Sequence, residues 1–274
     1  MRARRPALAS VEPHRGPRPE SAPWRWALAG ALLGLALTLA LFAPAAWLAA
    51  AVQQASGGRV QLDEPRGTLW RGSARLVLSG GAGSQDRTAL PGRLDWRLLP
   101  HWSGLRALLQ ADCCMGQPLR LALAPRWGGA SLLLTDPGSR WPAALLAGLG
   151  APWNTLQPEG QLDLSTPGLS VEWAAGRVSV TGSATLMVKG LSSRLSTLKP
   201  MGTYRIQLQG GQPATVALAT LEGGLQLSGS GRWIGSRLHF QGVASAAPEH
   251  EAALANLLNI VGRRSGPRSL ITVD

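Results

Sequence analysis

Apolar residues dominate one long stretch of the chain. Residues 24–50 consist mainly of alanine, leucine and glycine, and they carry no charge after Arg25. At a rise of about 1.5 Å per residue, this run is long enough to cross a hydrocarbon core of about 30 Å as a helix. We therefore predict a membrane-spanning helix over residues 24–52, kinked but not ended at Pro44.

The residues flanking this run indicate its orientation. Trp24 and Trp26 at its start and Trp47 near its end are amphipathic side chains of the kind found at membrane–water interfaces. Arginines precede the run at six positions: Arg2, Arg4, Arg5, Arg15, Arg18 and Arg25. Because positive residues are retained on the cytoplasmic side, we expect a cytoplasmic N-terminus and an exported remainder. Residues 1–23 lack apolar periodicity and are predicted to form a disordered basic tail.

A cleaved export signal is the alternative interpretation of the run. Small residues near 45–51 suit a signal peptidase, but a signal has only about 7–15 apolar residues. The run is nearly twice that length, which favours an uncleaved anchor. Both interpretations place the rest of the chain outside the cytoplasm, and we expect a bacterial inner-membrane protein with a periplasmic domain over residues 58–274.

Beyond Gly58, apolar and polar residues alternate in short segments separated by glycine, serine and proline. Residues 178–188 are the clearest example, with Val178, Val180, Leu186 and Val188 on one face. A period of two is typical of strands with one buried face. The fold class predicted is mainly β with a few helices: an extended antiparallel sheet, curved or groove-like, after a transmembrane helix.

Three segments have helical rather than strand spacing: residues 101–110, 141–149 and 248–261. The last carries leucines on one stripe, acidic residues at its start and Gly262 at its end, which predicts an amphipathic helix. Residues 269–273 are then expected to form a closing strand.

Two parts of the chain resemble each other. The sequence Gly72-Ser-Ala recurs 110 residues later at Gly182, and residues 91–98 match residues 201–208 at the same offset. Later matches fall at an offset of 95, because the first part contains extra residues near 101–116. These matches predict two similar sheet units, about 66–150 and 160–262, unless Gly-rich strands merely share a composition.

The net charge of +12 and the isoelectric point near 11.5 raise the question of nucleic-acid binding. The arginines are scattered, however, and no basic stripe interleaves with aromatic residues. We expect no nucleic-acid partner. Positive charge on an exported domain favours anionic lipid head groups or acidic partner proteins instead.

Cys113 and Cys114 are adjacent and are the only cysteines in the sequence. A vicinal disulfide would close a small, strained ring, and no C-x-x-C motif is present. We therefore predict free or variably oxidised thiols, with a functional cysteine pair as the alternative.

The sequence contains no motif with catalytic or metal-binding spacing. The four histidines, His14, His101, His239 and His250, show no H-x-x-H or H-E-x-x-H pattern, and no G-x-S-x-G or phosphate-binding glycine loop occurs. We predict no enzyme, no cofactor and no metal site.

Four segments taken together resemble protein N of the bacterial type II (general) secretion system. They are Arg66-Gly-Thr-Leu-Trp-Arg-Gly-Ser-Ala74, Leu90-Pro-Gly-Arg-Leu-Asp-Trp-Arg-Leu98, Lys199-Pro-Met-Gly-Thr-Tyr-Arg205 and Ala255-Asn-Leu-Leu-Asn-Ile-Val-Gly-Arg-Arg264. The resemblance implies a single-pass inner-membrane protein that contacts other secretion subunits, including the component that links to the secretin. It implies no catalytic residue. Candidate interface or family-motif residues are Gly67, Trp70, Gly72, Pro91, Trp96, Pro200, Gly202 and Tyr204.

The leading hypothesis is thus a non-catalytic, membrane-anchored component of the secretion machinery whose sheet edges or glycine-rich loops contact partners. The alternative comes from a fainter resemblance to AsmA-type periplasmic proteins. It is a β-groove with an apolar inner face that binds or transfers lipid.

Overall fold

The computed structural model describes residues 24–174, 177–235 and 237–273. The predicted tail, residues 1–23, lies outside them. The chain separates into two compact units at the bond between Leu41 and Phe42. The first unit holds the apolar helix, and the second holds the whole sheet and its covering helices.

The described residues contain the following elements. The helices are α1 (Trp24–Phe42), α2 (Ala45–Ala55), a 3₁₀ helix (Ala143–Leu149), α3 (Trp153–Leu156), a short 3₁₀ helix (Pro248–His250) and α4 (Glu251–Val261). The first strands are β1 (Val60–Gly67), β2 (Arg71–Ser79), β3 (Arg87–Ala89), β4 (Leu94–His101), β5 (Gly104–Ala111), β6 (Leu119–Arg126) and β7 (Gly129–Pro142). The later strands are β8 (Glu159–Ala174), β9 (Arg177–Ser192), β10 (Gly202–Gly211), β11 (Thr215–Glu222), β12 (Leu225–Ile234), β13 (Arg237–Ala246), β14 (Arg263–Ser265) and β15 (Arg268–Val273).

Helix α1 is apolar and long enough to cross a membrane, and it is the only such helix in the described part of the chain. Its 19 residues span about 28 Å, and none of them is buried within the protein. Trp24 and Trp26 lie in its first turn, where the sequence placed them, and both are largely exposed. The helix thus fits a single-pass membrane anchor.

Pro44 separates two helices rather than kinking one. Helix α1 ends at Phe42 and α2 begins at Ala45, so the predicted single helix over residues 24–52 is wrong in this respect. Proline has no N–H to donate and its ring clashes with the preceding turn, which favours a break where other contacts hold the chain. Trp47, expected at the end of the span, lies in α2, a helix of the second unit.

The strands form one antiparallel sheet that remains open. From one end its order is β1, β2, β4 to β13, β15 and β14, while β3 pairs only with β2. Among the described strands, β1 and β14 stand at opposite ends of this order and do not pair with each other. Mainly antiparallel order is confirmed, and so is the closing strand β15.

One face of the sheet is apolar, and helices cover parts of it at two separate cores. In the first core, Leu48 and Val52 of α2 and Leu145 of the 3₁₀ helix pack on strand residues that include Leu94 and Trp96. The second core contains Leu254, Leu257 and Leu258 of α4 with Val188, Tyr204, Leu225 and Ala244. Each fully buried leucine contributes about 1.5–3 kcal/mol, so α4 is fixed by its apolar stripe. The predicted C-terminal helix is confirmed.

The predicted helix over residues 101–110 is wrong. Residues 94–101 and 104–111 form the hairpin β4–β5, in which Trp96 pairs with Leu109 and His101 with Gly104. The leucines at 105, 108 and 109 have helical spacing, but in the strand they divide between the two faces. Pairing with a neighbouring strand overrides a local pattern of only ten residues.

This extra strand also limits the proposed duplication. Strands β2 and β4 correspond to parts of β9 and β10 at the offset of 110 residues. Strand β5 lies between β4 and β6, whereas β10 pairs directly with β11. In an antiparallel sheet, one added strand reverses the direction of every strand after it. The segments that match at the offset of 95 therefore lie on strands that run in opposite directions within the two proposed units. Only the two strand pairs that match at the offset of 110 still support a repeat.

Candidate functional site

The candidate residues from the sequence lie at two places on the sheet. Residues Gly67, Trp70, Gly72 and Trp96 come together where β1, β2 and β4 meet. Pro200, Gly202 and Tyr204 lie together at the start of β10, next to the second core. Pro91 stands apart from both groups, exposed in the connection between β3 and β4.

The first group forms a tight loop at the β1–β2 turn. The Thr68 N–H donates to the Arg71 carbonyl at 2.8 Å, and the Arg71 N–H donates to Thr68 Oγ1 at 3.1 Å. Trp96 is 3% exposed, and its indole Nε1–H donates to the Leu69 carbonyl at 3.1 Å. The Leu98 N–H donates to the Trp70 carbonyl at 2.7 Å. Strand β4 therefore fixes the loop through one side chain, that of Trp96, and one backbone group, the N–H of Leu98.

Both glycines of this loop are required by close backbone contacts. Gly67 has φ +85°, and a Cβ there would lie 2.5 Å from the Arg71 carbonyl oxygen. A Cβ on Gly72 would lie 2.6 Å from both the Arg66 carbonyl oxygen and the Trp96 ring. A side chain at either position would push the loop away from Trp96. The Arg-Gly-Thr-Leu-Trp-Arg-Gly motif thus has a structural explanation in this fold.

The loop also holds the chain directly after α1. The Leu69 N–H donates to the Ala43 carbonyl at 2.7 Å, and Pro44 forms an isolated antiparallel bridge with Thr68. Ala43 is 1% exposed and Ala45 2% exposed. Ala43 is joined to Phe42, the last residue of α1, by a single peptide bond. The family motif therefore fixes the first residue beyond the apolar helix.

An arginine-lined cleft of about 750 Å³ adjoins this loop on the polar face of the sheet. Arg66, Arg71 and Arg97 line it together with Asp95, and Ser73, Leu108 and Gln110 also contribute. Arg71 and Arg97 are direct cross-strand partners. This cleft was not predicted, because the two arginines are 26 positions apart in the sequence and only the strand register places them side by side.

The second group of candidate residues has a mainly structural arrangement. Tyr204 is 1% exposed, and its hydroxyl donates to the Leu225 carbonyl at 3.1 Å. Burial raises the pKa of this hydroxyl far above its ordinary value, so it remains a donor. Pro200 and Gly202 border a cleft of about 550 Å³ together with Lys189 and Glu222.

Close to this second cleft lies the shortest ion pair of the described residues. Lys189 Nζ lies 2.7 Å from Asp163 Oδ2 across strands β8 and β9. Burial opposes ionisation of Asp163. The hydrogen bonds from Lys189 and Gln161 and the positive charges of Lys189 and Arg140 outweigh it and lower the pKa of the carboxyl. The pair joins two long central strands on the polar face.

Cys113 and Cys114 form a disulfide, so the prediction of free thiols is wrong. The bond lies in the turn between β5 and β6, with Cys114 buried at 5% exposure. The backbone of this turn is fixed on both sides: the Met115 N–H donates to the Ala111 carbonyl and the Arg140 N–H to the Cys114 carbonyl. This tight turn brings the two adjacent cysteines close enough to bond, which spacing alone does not reveal.

Part of the apolar face lies beyond the covering helices. Trp173 and Val178 are direct partners across β8 and β9, and each is 41% exposed. Leu123 is 43% exposed on the same face. A cleft of about 570 Å³ opens nearby, lined by Val178, Val180, Ala214 and Trp233 among others. The apolar pattern of the strands thus extends further than the helices that bury it.

Metal-ligating side chains are dispersed among the described residues. Within them, no group of three or more His, Cys, Asp or Glu side chains lies close enough to hold a metal ion. His101 lies 3.4 Å from an Arg106 nitrogen, on the β4–β5 hairpin. The absence of an enzyme activity, a cofactor and a metal therefore stays a prediction from the sequence.

Comparison with known proteins assigns this chain to a family. The sequence model of the family described as type II secretion system (T2SS), protein N, matches residues 58–271. This range begins three residues after α2. It includes the strands of both cores, helix α4 and all of the candidate interface residues, but not the α2 residues of the first core. No curated protein and no solved structure matches the chain. The resemblance predicted from the four motifs is confirmed.

Proposed function

Because the chain belongs to the type II secretion system protein N family, we propose that it is a non-catalytic assembly component of that machinery. In this proposal α1 anchors the protein in the inner membrane, residues 1–23 are cytoplasmic and residues 58–274 form a periplasmic domain. The observation that carries the proposal is the family match across 58–271, in a chain that has one apolar helix of 19 residues ahead of it. The partners are inner-membrane secretion subunits and the component linking them to the secretin.

The ends of the open sheet supply the mode of contact. Strand β14 is an edge of three residues, Arg263 to Ser265, and it pairs only with the first half of β15. Edge strands present unpaired backbone groups to which another chain can add a strand. Arg263, Arg264 and Arg268 are exposed at this edge, so an extended segment with acidic side chains suits it.

A photoreactive residue placed at this edge tests the proposed contact. We expect benzoylphenylalanine at Arg264 to form a covalent adduct with another secretion subunit in intact cells. The control position is Ser230, which is exposed on β12, a strand that is paired on both sides. Equal adducts at both positions, or adducts at Ser230 alone, would argue against contact through the edge.

The uncovered apolar face favours a second candidate function, the binding of lipid acyl chains. Trp173, Val178 and Leu123 remain more than one third exposed although their strands are central in the sheet. Exposed apolar surface of this kind marks sites for apolar ligands or partners. The cleft lined by Val178, Val180 and Trp233 has a volume of about 570 Å³ and adds apolar side chains to this surface.

Two neighbouring positions on β8 allow a matched test of lipid binding. Val171 pairs with Leu132 and Val180 on the apolar face, whereas Ser170 lies on the opposite face. We expect Val171→Glu to lower the amount of phospholipid that co-purifies with the full chain, because a charge is costly beside an acyl chain. Mass spectrometry of extracted lipid provides the measurement. Ser170→Glu introduces the same charge, and an equal loss in both variants would reject this function.

A further inference from the structure

We propose that the cleft formed by Arg66, Arg71 and Arg97 binds a phosphate-bearing anion, with the head group of an anionic phospholipid as its source. The position of the cleft beside a membrane rests on the proposed function, since it requires α1 to span the bilayer. The charge and geometry of the cleft do not depend on that proposal. They come from the strand register and the side chains of the second unit.

The cleft holds two like charges that face each other across neighbouring strands. Arg71 of β2 and Arg97 of β4 are direct cross-strand partners on the polar face. Two like charges in this position repel each other and destabilise the sheet. Across the part of the chain that the structure describes, neither guanidinium has a carboxylate within 4.0 Å. An anion bound between them would remove the repulsion.

The carboxylates nearby are too few to balance the arginines. Glu64 is shared by Arg66, Arg75 and Arg93, at nitrogen–oxygen distances of 4.0, 3.5 and 3.7 Å. Asp63 is paired with Arg87 at 2.9 Å. Asp95 lines the cleft as well and offsets one charge there. Three arginines and one carboxylate, Asp95, therefore line the cleft, which leaves it positively charged.

The chemistry of the side chains selects the ligand class. A guanidinium presents its N–H groups in a planar fork that binds two phosphate oxygens at once. Ser73 also lines the cleft, and its hydroxyl, which accepts from Arg93 Nε, can donate to an anion. The volume of about 750 Å³ admits a phosphate with the small substituent of a lipid head group.

The covalent connection to α1 indicates the source of the phosphate. Leu69, at the centre of the loop that borders the cleft, is hydrogen-bonded to Ala43, the residue next to the end of α1. If α1 spans the bilayer, only a few residues of chain separate the residue that the loop holds from the membrane surface. This is true in any orientation of the domain. Arginines close to an anionic leaflet are attracted to its phosphate groups.

The test uses the full chain in detergent with an equal mixture of phosphatidylglycerol and phosphatidylcholine. Native mass spectrometry measures the ratio of the two lipids retained. We expect the double variant Arg71→Gln with Arg97→Gln to lose roughly 30-fold in selectivity for phosphatidylglycerol, because about 1 kcal/mol is removed with each of the two arginines. The variant should be no less stable to heat, since it also removes a like-charge pair.

A control variant and one competing ligand make the outcomes distinct. Arg205→Gln with Arg232→Gln removes the same charge from exposed positions of β10 and β12 and should leave the selectivity intact. Displacement of the lipid by excess inorganic phosphate would support the anion site but assign it to free phosphate. An unchanged lipid ratio in the Arg71/Arg97 variant would overturn the proposal. This holds even if the variant no longer binds a secretion subunit.

Extraction of membranes with alkaline carbonate separates this result from the proposed function. Release of the chain by carbonate would refute the anchor, whereas the lipid ratio in detergent would still report on the cleft. Retention in the membrane with no head-group selectivity would refute the cleft alone. Acyl chains in the apolar cleft do not discriminate between head groups, so they change the total lipid but not the ratio.

Discussion

Replacing Trp96 with alanine is expected to lower the free energy of unfolding by about 3–5 kcal/mol, the usual cost of removing a large buried aromatic ring. Trp96 is 3% exposed, lies in the first core and donates its indole N–H to Leu69. The variant therefore loses both a core side chain and the bond that fixes the Gly67–Trp70 loop. Chemical denaturation of the full chain in detergent, followed by circular dichroism, measures this loss.

Two variants separate the components of that effect. Trp96→Phe retains most of the apolar volume but leaves the Leu69 carbonyl without its partner, so a smaller cost of about 1–3 kcal/mol is expected. Trp127→Ala removes the same side chain type from a fully exposed turn and should change stability by less than about 0.5 kcal/mol. Equal losses at Trp96 and Trp127 would contradict the packing described for the first core.

Replacing Gly182 with alanine is expected to cost about 2–5 kcal/mol, because its Cβ would overlap a backbone atom. Gly182 has φ +85°, and the added Cβ would lie 1.8 Å from the Gly168 carbonyl oxygen. The pairing of β8 with β9 is irregular between Ser165 and Gly168, which brings this carbonyl towards β9. Left-handed backbone alone costs an alanine about 1–2 kcal/mol, and overpacking adds about 1–3 kcal/mol.

Gly190 provides the matched control within the same strand. Its φ is +58°, but a Cβ there would meet no atom within 4 Å. Gly190→Ala should therefore show the left-handed cost of about 1–2 kcal/mol and no more. Melting temperatures of the two variants, measured under the same conditions, make the comparison. A Gly182 variant as stable as the Gly190 variant would refute the irregular β8–β9 contact.

Local patterns in the sequence were sufficient to predict the elements whose apolar face is formed by residues close in the chain. The apolar run of α1, the leucine stripe of α4 and the alternation along β9 each depend on residues close in the chain. The spacing of Leu254, Leu257 and Leu258 alone defined the face that packs on the second core. Motif residues such as Trp96 and Tyr204 were placed correctly on apolar faces for the same reason.

Elements that depend on distant contacts were not predictable in this way. The break at Pro44 requires the Ala43–Leu69 bond, which joins residues in different elements. Strand β5 is set by its hairpin with β4 and by β6, against its own helical spacing. The pairing of Arg71 with Arg97 follows from the register of β2 and β4. In each case the deciding partner is far along the chain, and the local pattern is consistent with more than one outcome.

The central claim is that this anchored, sheet-rich protein works by contact with other secretion subunits. Affinity purification of the tagged full chain from native membranes, followed by mass spectrometry, tests it most directly. We expect inner-membrane subunits of the type II secretion system to co-purify with it. A variant carrying Trp96→Ala should recover less of them because its domain is destabilised. Recovery of the intact chain without any secretion-system subunit would contradict the account.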